Sequence, residues 1–457
     1  MGPIGAGGTA ALSTPVQITS VANAETLFAD SPVVDAARVW FRSRLSSDRE
    51  LWAFGFDATT WLANTWGLTV TGTATSGGSL VFRYGDATLS ITVAKDDDAS
   101  ATAAKINAAI NAANNIPATS TVLAAVVTVT SDYVGLETQR TPISFDLYST
   151  RGEPGVPGIS VAVVSDDVGA GEPGALVTTN ISGTESYDWY IHGNHGTALL
   201  DSLEDHLETR HQDHNNYARA FASIALADQA ATIAVATARN DLHHTWAAQQ
   251  QSPTFELSAA THTLIQVLQD LDLPEGAGGF PSQNRPFLGP APIEPNFDAE
   301  AILQAGISPI RVSRTGAAVF VRLVTNRRTD DGAVKDLRLF GLDAPMRTRE
   351  LGQRMVAENA LQLDKGILGP GQLATSLIAG RQTDEALILQ RYEALFTTAN
   401  EDGLITTVDP TQTFDPAAVV TGIVLKFDGG TAIGWDLAVN PEIVQNVVAM
   451  TTLATLR

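Results

Sequence analysis

The chain has 457 residues and a formal net charge of −22, from 50 acidic against 28 basic side chains. Hydrophobic residues make up 44% and charged residues 17%, a globular balance, and at roughly 150 residues per domain the length predicts about three domains. The charge argues against a general nucleic-acid binder, which needs clustered Lys and Arg, and against an anionic membrane surface. The lack of cysteine removes disulfides, Cys-ligated zinc, iron–sulfur clusters and thiol catalysis.

Met1 to Ala11 carry no positive side chain and no apolar core, so no signal peptide is expected there. Val16 and Ile18 alternate with polar neighbours and predict a strand. Ser20 or Asn23 can cap a helix with Ala24, Leu27 and Phe28 on one face. After Pro32, a second helical stripe runs through Val33, Ala36, Ala37, Trp40 and Phe41, and Leu51 to Phe56 reads as a strand. Residues 58–151 change character to Thr, Gly and Ser with period-two patterns. Strands are predicted at Leu68–Gly72, Leu80–Tyr84, Leu89–Val93 and Val122–Thr130, with a helix opening at Asp96–Ser100 and closing before Pro117.

Ile159 to Val164 and Tyr187 to Ile191 are further predicted strands. Thr197 to Arg210 is a predicted helix with Leu199, Leu200, Leu203 and Leu207 on one face. The apolar run Ala218 to Ala238 is broken by Arg219, Asp228 and Gln229, too polar to span a bilayer; within it Ala231 to Ala238 resembles a buried strand. Phe255 to Leu271 is a predicted helix, and Leu273 to Pro295, with six prolines, is a predicted linker. Beyond it, Asp298 to Gln304 is a short helix that can stop at Gly306, and Val312 and Ala318 to Thr325 flank a turn. Leu337 to Leu363 and Glu385 to Ala399 read as helical. Val419 to Phe427 and Trp435 to Val439 read as strands, and Val444 to Leu456 as an uncharged tail suited to pairing with a sheet edge.

Catalytic motifs do not emerge. No Lys follows a Gly, so there is no phosphate-binding loop of that type, and neither Gly-x-Ser-x-Gly nor His-Glu-x-x-His occurs. All eight histidines lie between His192 and His262. They can be read as a metal site completed by Asp201, Asp205 or Asp213, or as polar residues of loops and helix surfaces in one domain. Asp96, Asp97 and Asp98 lack the spacing of a calcium loop and read as a turn that favours the following helix N-terminus. Between Arg311 and Arg354, ten basic residues face five acidic ones. That is a local net of +5 against −27 for the rest, enough either to orient the chain on an oppositely charged partner or to be used in local pairing.

Several stretches resemble the tail sheath proteins of contractile-tailed bacteriophages, the Mu-like group in particular. They are Gly8 to Ser20 with Ala24 to Phe28; Gly72 to Gly77, Ile116-Pro117 and Val126 to Thr130; Ala238-Arg239-Asn240; Leu303 to Ser308 with Gly316, Arg322, Thr325, Gly332 and Asp336; and Asn440 to Asn446. The resemblance implies an α+β / α/β multidomain chain. Residues 1–57 with 152–285 would form an α/β middle domain, 58–151 an inserted β-rich outer domain, and 286–457 a sheath-type C-terminal core. It implies a mechanical rather than catalytic protein without cofactors. Such a protein assembles as hexameric rings stacked around a tail tube, meets baseplate and terminator proteins, and belongs to a virion assembled in the host cytoplasm. Candidates to face the tube are Arg338, Arg347, Arg349 and Arg354. Candidates for an exchanged inter-subunit arm are Val444, Val447, Val448, Met450, Leu453 and Leu456. The family usually carries an arm and a strand before the stretch matching Gly8, where seven residues stand here, which shifts expected linking to the C-terminal tail. A phage-like bacteriocin or injection device, a metal-dependent enzyme built on His192–His262, and a static surface array are the alternatives.

Overall fold

Serine caps and a proline open the first helical pair of this computed structural model. It describes residues 1–43, 49–141 except 86, 143–145, 155–178, 181, 187–214, 218–224, 229–249, 253–270, 298–312, 318–329, 342, parts of 351–358, 385–401, 406–407, 414–428, 431–439 and 444–445. β1 (Gly2–Pro3) and β2 (Pro15–Ile18) flank β3 (Leu51–Phe56), parallel and antiparallel respectively. Between them run α1 (Val21–Phe28) and α2 (Pro32–Arg42). The Ser20 hydroxyl accepts the Asn23 N–H, and the Ser31 hydroxyl accepts that of Val33, so each side chain satisfies a donor the helix leaves open. Pro32 sits in the first turn of α2, where its missing N–H costs nothing. Phe28, Val33, Val34 and Ala53 bury the shared face.

The β-rich module holds two antiparallel sheets around one helix. The first orders β10 (Ile159–Ser165), β4 (Thr65–Gly72), β8 (Val126–Ser131) and β7 (Ala118–Leu123). The second orders β6 (Ala87–Val93), β5 (Gly78–Tyr84) and β9 (Ile143–Phe145). Leu68, Val70, Phe82, Val127 and Val129 are buried at period two, and α3 (Ala99–Ala112) adds Ile106 and Ile110 to the same core. The single strand predicted over 122–130 is a hairpin, β7 and β8, turning at Ala124 with φ +53°. The turn carries no Gly or Asn, so the sequence signals none. β10 pairs along its whole length with β4, from Ile159 opposite Gly72 to Ser165 opposite Trp66, so this sheet takes a strand from beyond residue 151. The three aspartates at the start of α3 have separate duties. Asp98 caps the helix at Ala101, Asp97 accepts the Ala94 N–H and pairs with Lys105, and Asp96 takes a positive φ.

The body is a five-stranded sheet ordered β11 (Trp189–Ile191), β12 (Arg219–Ile224), β13 (His244–Ala248), β14 (Ile307–Val312) and β15 (Ala318–Phe320). The first four are parallel and β15 is antiparallel. Every residue of β12 and β13 is buried, as expected of parallel strands covered on both faces. α4 (Thr197–His214) buries Leu199, Leu200, Leu203 and Leu207, and α6 (Thr254–Asp270) buries Leu257 and Ile265. Residues 231–238, read from the sequence as a strand, lie instead in and just beyond α5 (Gln229–Thr237). Their alanine content favours the helix and their β-branched neighbours mislead. β13 carries no strand signal in the sequence because it begins His-Thr, polar residues that the fold buries completely.

The C-terminal part begins with α7 (Ala299–Gln304), capped by Asp298 on the Glu300 N–H and stopped at Gly306 with φ +77°. α8 (Glu385–Glu401) buries Ile388, Tyr392, Phe396 and Ala399 and packs on β17 (Val420–Asp428), which pairs antiparallel with β18 (Thr431–Val439). Of the predicted helix Leu337–Leu363, the described residues of 351–358 are helical, with Leu351 and Met355 buried one turn apart. Leu342 is buried in a turn, and the rest of that range and the predicted linker 273–295 lie outside the described residues. Among the described residues no helix is long and apolar enough to cross a membrane.

Candidate functional site

α4 presents a polar stripe beside its leucine face. Glu204, Glu208 and His211, at spacings of four and three, fall in one row over the start of β13. Glu204 Oε1 accepts the backbone N–H groups of Leu242 (2.9 Å) and His243 (3.2 Å), and its Oε2 lies 2.9 Å from His244 Nδ1. Burial opposes its ionisation, yet the bond to His244 and the charges of His244 and His243 outweigh that and hold the carboxyl well below its usual range. One turn on, Glu208 Oε2 lies 2.7 Å from His243 Nε2, and the His211 ring stands edge-on to that of His243 at 5.4 Å. Burial, then the neighbouring His243, push His211 down to about 4, so its imidazole is neutral at pH 7. Two trios of ligand-type atoms result, Glu208/His211/His243 and Glu204/Asp241/His244, each with all atoms within 4.8 Å of one another.

The histidines are therefore not surface residues: His192, His195, His206, His243, His244 and His262 are all buried, although His192, His195 and His243 stand in loops, as expected for the first two. The carboxylates beside them are Glu137, Glu204, Glu208 and Asp241 rather than those expected. Asp201 pairs with Arg239 at 2.8 Å, Asp205 is exposed, and the side chain of Asp213 lies outside the described residues. The four-residue spacing of Glu204 and Glu208 on a leucine-striped helix was the available signal. That spacing does not reveal partners at 243 and 244, which are remote in sequence.

A second polar assembly joins the body to the C-terminal part. Asn240 Oδ1 accepts the N–H groups of Arg328 (2.8 Å) and Thr329 (3.1 Å), and its amide donates to the Thr329 carbonyl (2.8 Å). Asn326 donates to the Ala236 carbonyl and accepts the Asp241 N–H. The Arg328 guanidinium donates to the carbonyls of Thr237 and Arg239, and Ser308 Oγ bridges both ways to Val324. Gly306 seats against this knot. A Cβ there would stand 3.1 Å from both Cα and O of Asn326. Residues 236–241 and 326–329, 85 to 91 positions apart along the chain, thus form one partly buried hydrogen-bonded unit.

The chain is similar in structure to sheath tail proteins. It aligns with the sheath tail protein of Desulfitobacterium hafniense at 9% identity and a TM-score of 0.41, covering 95% of this chain and 91% of that one. It aligns with a sheath tail protein of Listeria innocua at 12% identity and a TM-score of 0.43, covering 95% and 93%. A shorter alignment, to the D2–D3 domains of the flagellar cap protein of Escherichia coli, covers 26% of this chain at a TM-score of 0.17. No protein-family model and no curated protein matches the chain.

Of the arginines expected to face a partner, Arg354 is helical and half-buried, while Arg338, Arg347 and Arg349 lie outside the described residues. Elsewhere in the basic stretch, Arg311 and Arg322 are exposed, and Arg328 is used internally by the knot. Of the tail candidates, Val444 is described. Val444–Gln445 forms β19 and pairs antiparallel with β16 (Thr406–Thr407) of the same chain. Val447, Val448, Met450, Leu453 and Leu456 lie outside the described residues.

The module meets the body across a cleft of about 910 Å³ lined by Asp30, Arg38, Asp132, Glu137, Asn194 and Glu256. Tyr133 Oη donates to Asp35 at 2.5 Å, and His195 lies 2.7 Å from Glu137. Burial, then the neighbouring Asp30, push the Asp132 carboxyl up to about 6.

Proposed function

We propose that this chain is the structural subunit of a contractile tail sheath. In this reading, copies assemble as hexameric rings stacked around a tail tube, and contraction drives the tube through a host envelope. The observation that carries the reading is the knot. The resembling stretch Ala238–Asn240 is hydrogen-bonded to Arg328 and Thr329, which closely follow the resembling residue Thr325, and Gly306 of the resembling stretch Leu303–Ser308 abuts Asn326. The two parts of the first resembling stretch also meet, since Ala10 donates to the Leu27 carbonyl and the Thr9 hydroxyl to that of Thr26.

Subunits are proposed to link through the chain beyond Gln445, which continues from the short β16–β19 pair and can add a strand to a neighbour's sheet. Backbone pairing of this kind survives rotation of the domains it ties. Repeated head-to-tail contacts that do not close on themselves give a helix rather than a ring. The proposed partners are further copies of the chain, a tail tube protein met by the basic stretch 311–354, and the baseplate and terminator proteins at the ends. The proposed location is the virion tail, and no catalysis or cofactor is assigned. A phage-like bacteriocin or injection device uses the same mechanics.

Negative-stain microscopy of concentrated purified chain tests the reading. Extended or shortened tubes with sixfold rings are expected, and deletion of residues 446–457 is expected to abolish them. Monomers alone at high concentration would overturn the assignment.

A further inference from the structure

The trio Glu208, His211 and His243 is not used by the assembly just described, and its chemistry is specific. Glu208 and His211 stand one turn apart on α4, and His243 immediately precedes β13, so regular elements hold all three. His243 Nε2 already lies 2.7 Å from Glu208 Oε2, and the ligand atoms of all three fall within 4.8 Å of one another. Tetrahedral Zn²⁺ with bonds of about 2.0–2.2 Å places its ligand atoms roughly 3.4 Å apart. Side-chain shifts of about 1 Å would therefore close the trio on an ion.

We propose that Glu208, His211 and His243 bind a divalent transition-metal ion, Zn²⁺ foremost, with water completing the tetrahedron. Two imidazoles and one carboxylate favour zinc, nickel or copper over magnesium and calcium, which prefer sets made of oxygen. The Glu208 side chain is 42% exposed, which gives the ion a path in from solvent, and its negative charge offsets part of the ion's. Arg219 on β12 is the opposing charge nearby, and its guanidinium is turned to the Leu242 carbonyl at 2.9 Å. The neighbouring trio is already committed: Glu204 holds two backbone N–H groups, and Asp241 is paired with Arg239. Bound metal would take the place of the proton between His243 and Glu208. It would pin the last turns of α4 to the edge of β13, a few residues from the knot at Asn240.

The test uses the full chain, freed of any affinity tag and stripped with chelator. Titration calorimetry with Zn²⁺ alone is expected to show one saturable site per chain that excess Mg²⁺ does not compete away. Glu208→Gln and His211→Asn are each expected to weaken it tenfold or more, about 1.4 kcal/mol per decade. Co²⁺ in place of Zn²⁺ is expected to give the visible absorption of a four-coordinate ion, lost in both variants. Circular dichroism identifies variants that fold, and Glu208→Gln, at a half-exposed position, serves if His211→Asn does not. Absence of saturable Zn²⁺ binding by the folded wild-type chain, or unchanged affinity in a folded variant, overturns the proposal.

Discussion

His195 and Glu137 clasp the β-rich module to the parallel-sheet body. The ring Nδ1 lies 2.7 Å from Glu137 Oε1, while Nε2 lies 2.7 Å from the Ser223 carbonyl. A carbonyl only accepts, so Nε2 carries a proton, and the second nitrogen shares another with the carboxylate. Both side chains are largely shielded, at 3% and 13% exposure. Removing one partner takes a short contact from a shielded carboxylate, so His195→Ala is expected to cost about 3 kcal/mol in urea unfolding. A loss below about 1 kcal/mol would show that the clasp is incidental.

Gly306 is expected to tolerate no side chain. Its φ of +77° disfavours any L residue, and a Cβ would press on the backbone of Asn326, which cannot swing aside. Gly306→Ala is expected to destabilise by about 1–3 kcal/mol, and Gly306→Val by more. Thermal melts of the two variants check the order, and a wild-type melting curve for Gly306→Ala would count against the knot as a rigid junction.

Asp132 works against stability at neutral pH. Its folded pKa is raised to about 6 by burial and Asp30, above the ordinary 3.8. The folded state therefore holds the proton more tightly, and the stability this gives is present below pH 3.8 and lost as pH rises through 6. Asp132→Asn is expected to raise the melting temperature at pH 7.5 and to change it little near pH 4. The carboxyl is partly solvated, so the gain is modest. An equal gain at both pH values would point to packing instead.

His262 is enclosed by aromatic rings: Trp40 stacks on it at 5.6 Å, with Phe221 at 5.4 Å and Trp189 at 5.8 Å. Neither ring nitrogen has a hydrogen-bond partner among the described residues, and burial, then Arg49, push its pKa down to about 3. The unfolded chain takes up a proton at 6.5 that the folded chain refuses until about 3, so stability falls with pH across that window. His262→Phe is expected to be more stable by about 1 kcal/mol at pH 7 and by more near pH 5. Denaturant unfolding at the two pH values measures this, and a gain that does not grow on acidification would refute the proton linkage.

What could be read along the chain was what repeats within a turn or two. Leu199, Leu200, Leu203 and Leu207 announced α4, the alternation through Leu68 and Val70 announced β4, and Asp298 with Gly306 bracketed α7. Residues 231–238 misled because a nine-residue apolar helix and a buried strand have the same composition. The turn at Ala124 is silent in the sequence because its positive φ falls on a residue that does not advertise it. β13 is silent because burial of His244 and Thr245 depends on elements far away in sequence.

The sequence alone determined the acidic balance, the lack of cysteine chemistry, the order of most helices and strands, and a resemblance spread over several loose stretches. Tertiary structure decided which polar groups meet. Glu208 finds His243 across 35 residues, Asn240 finds Arg328 across 88, and Glu137 finds His195 across 58. Local periodicity is set by backbone geometry within one element, so it can be read along the chain. Partnerships between buried polar groups are set by how the elements stack, because each such group must find its hydrogen bond wherever packing has placed it.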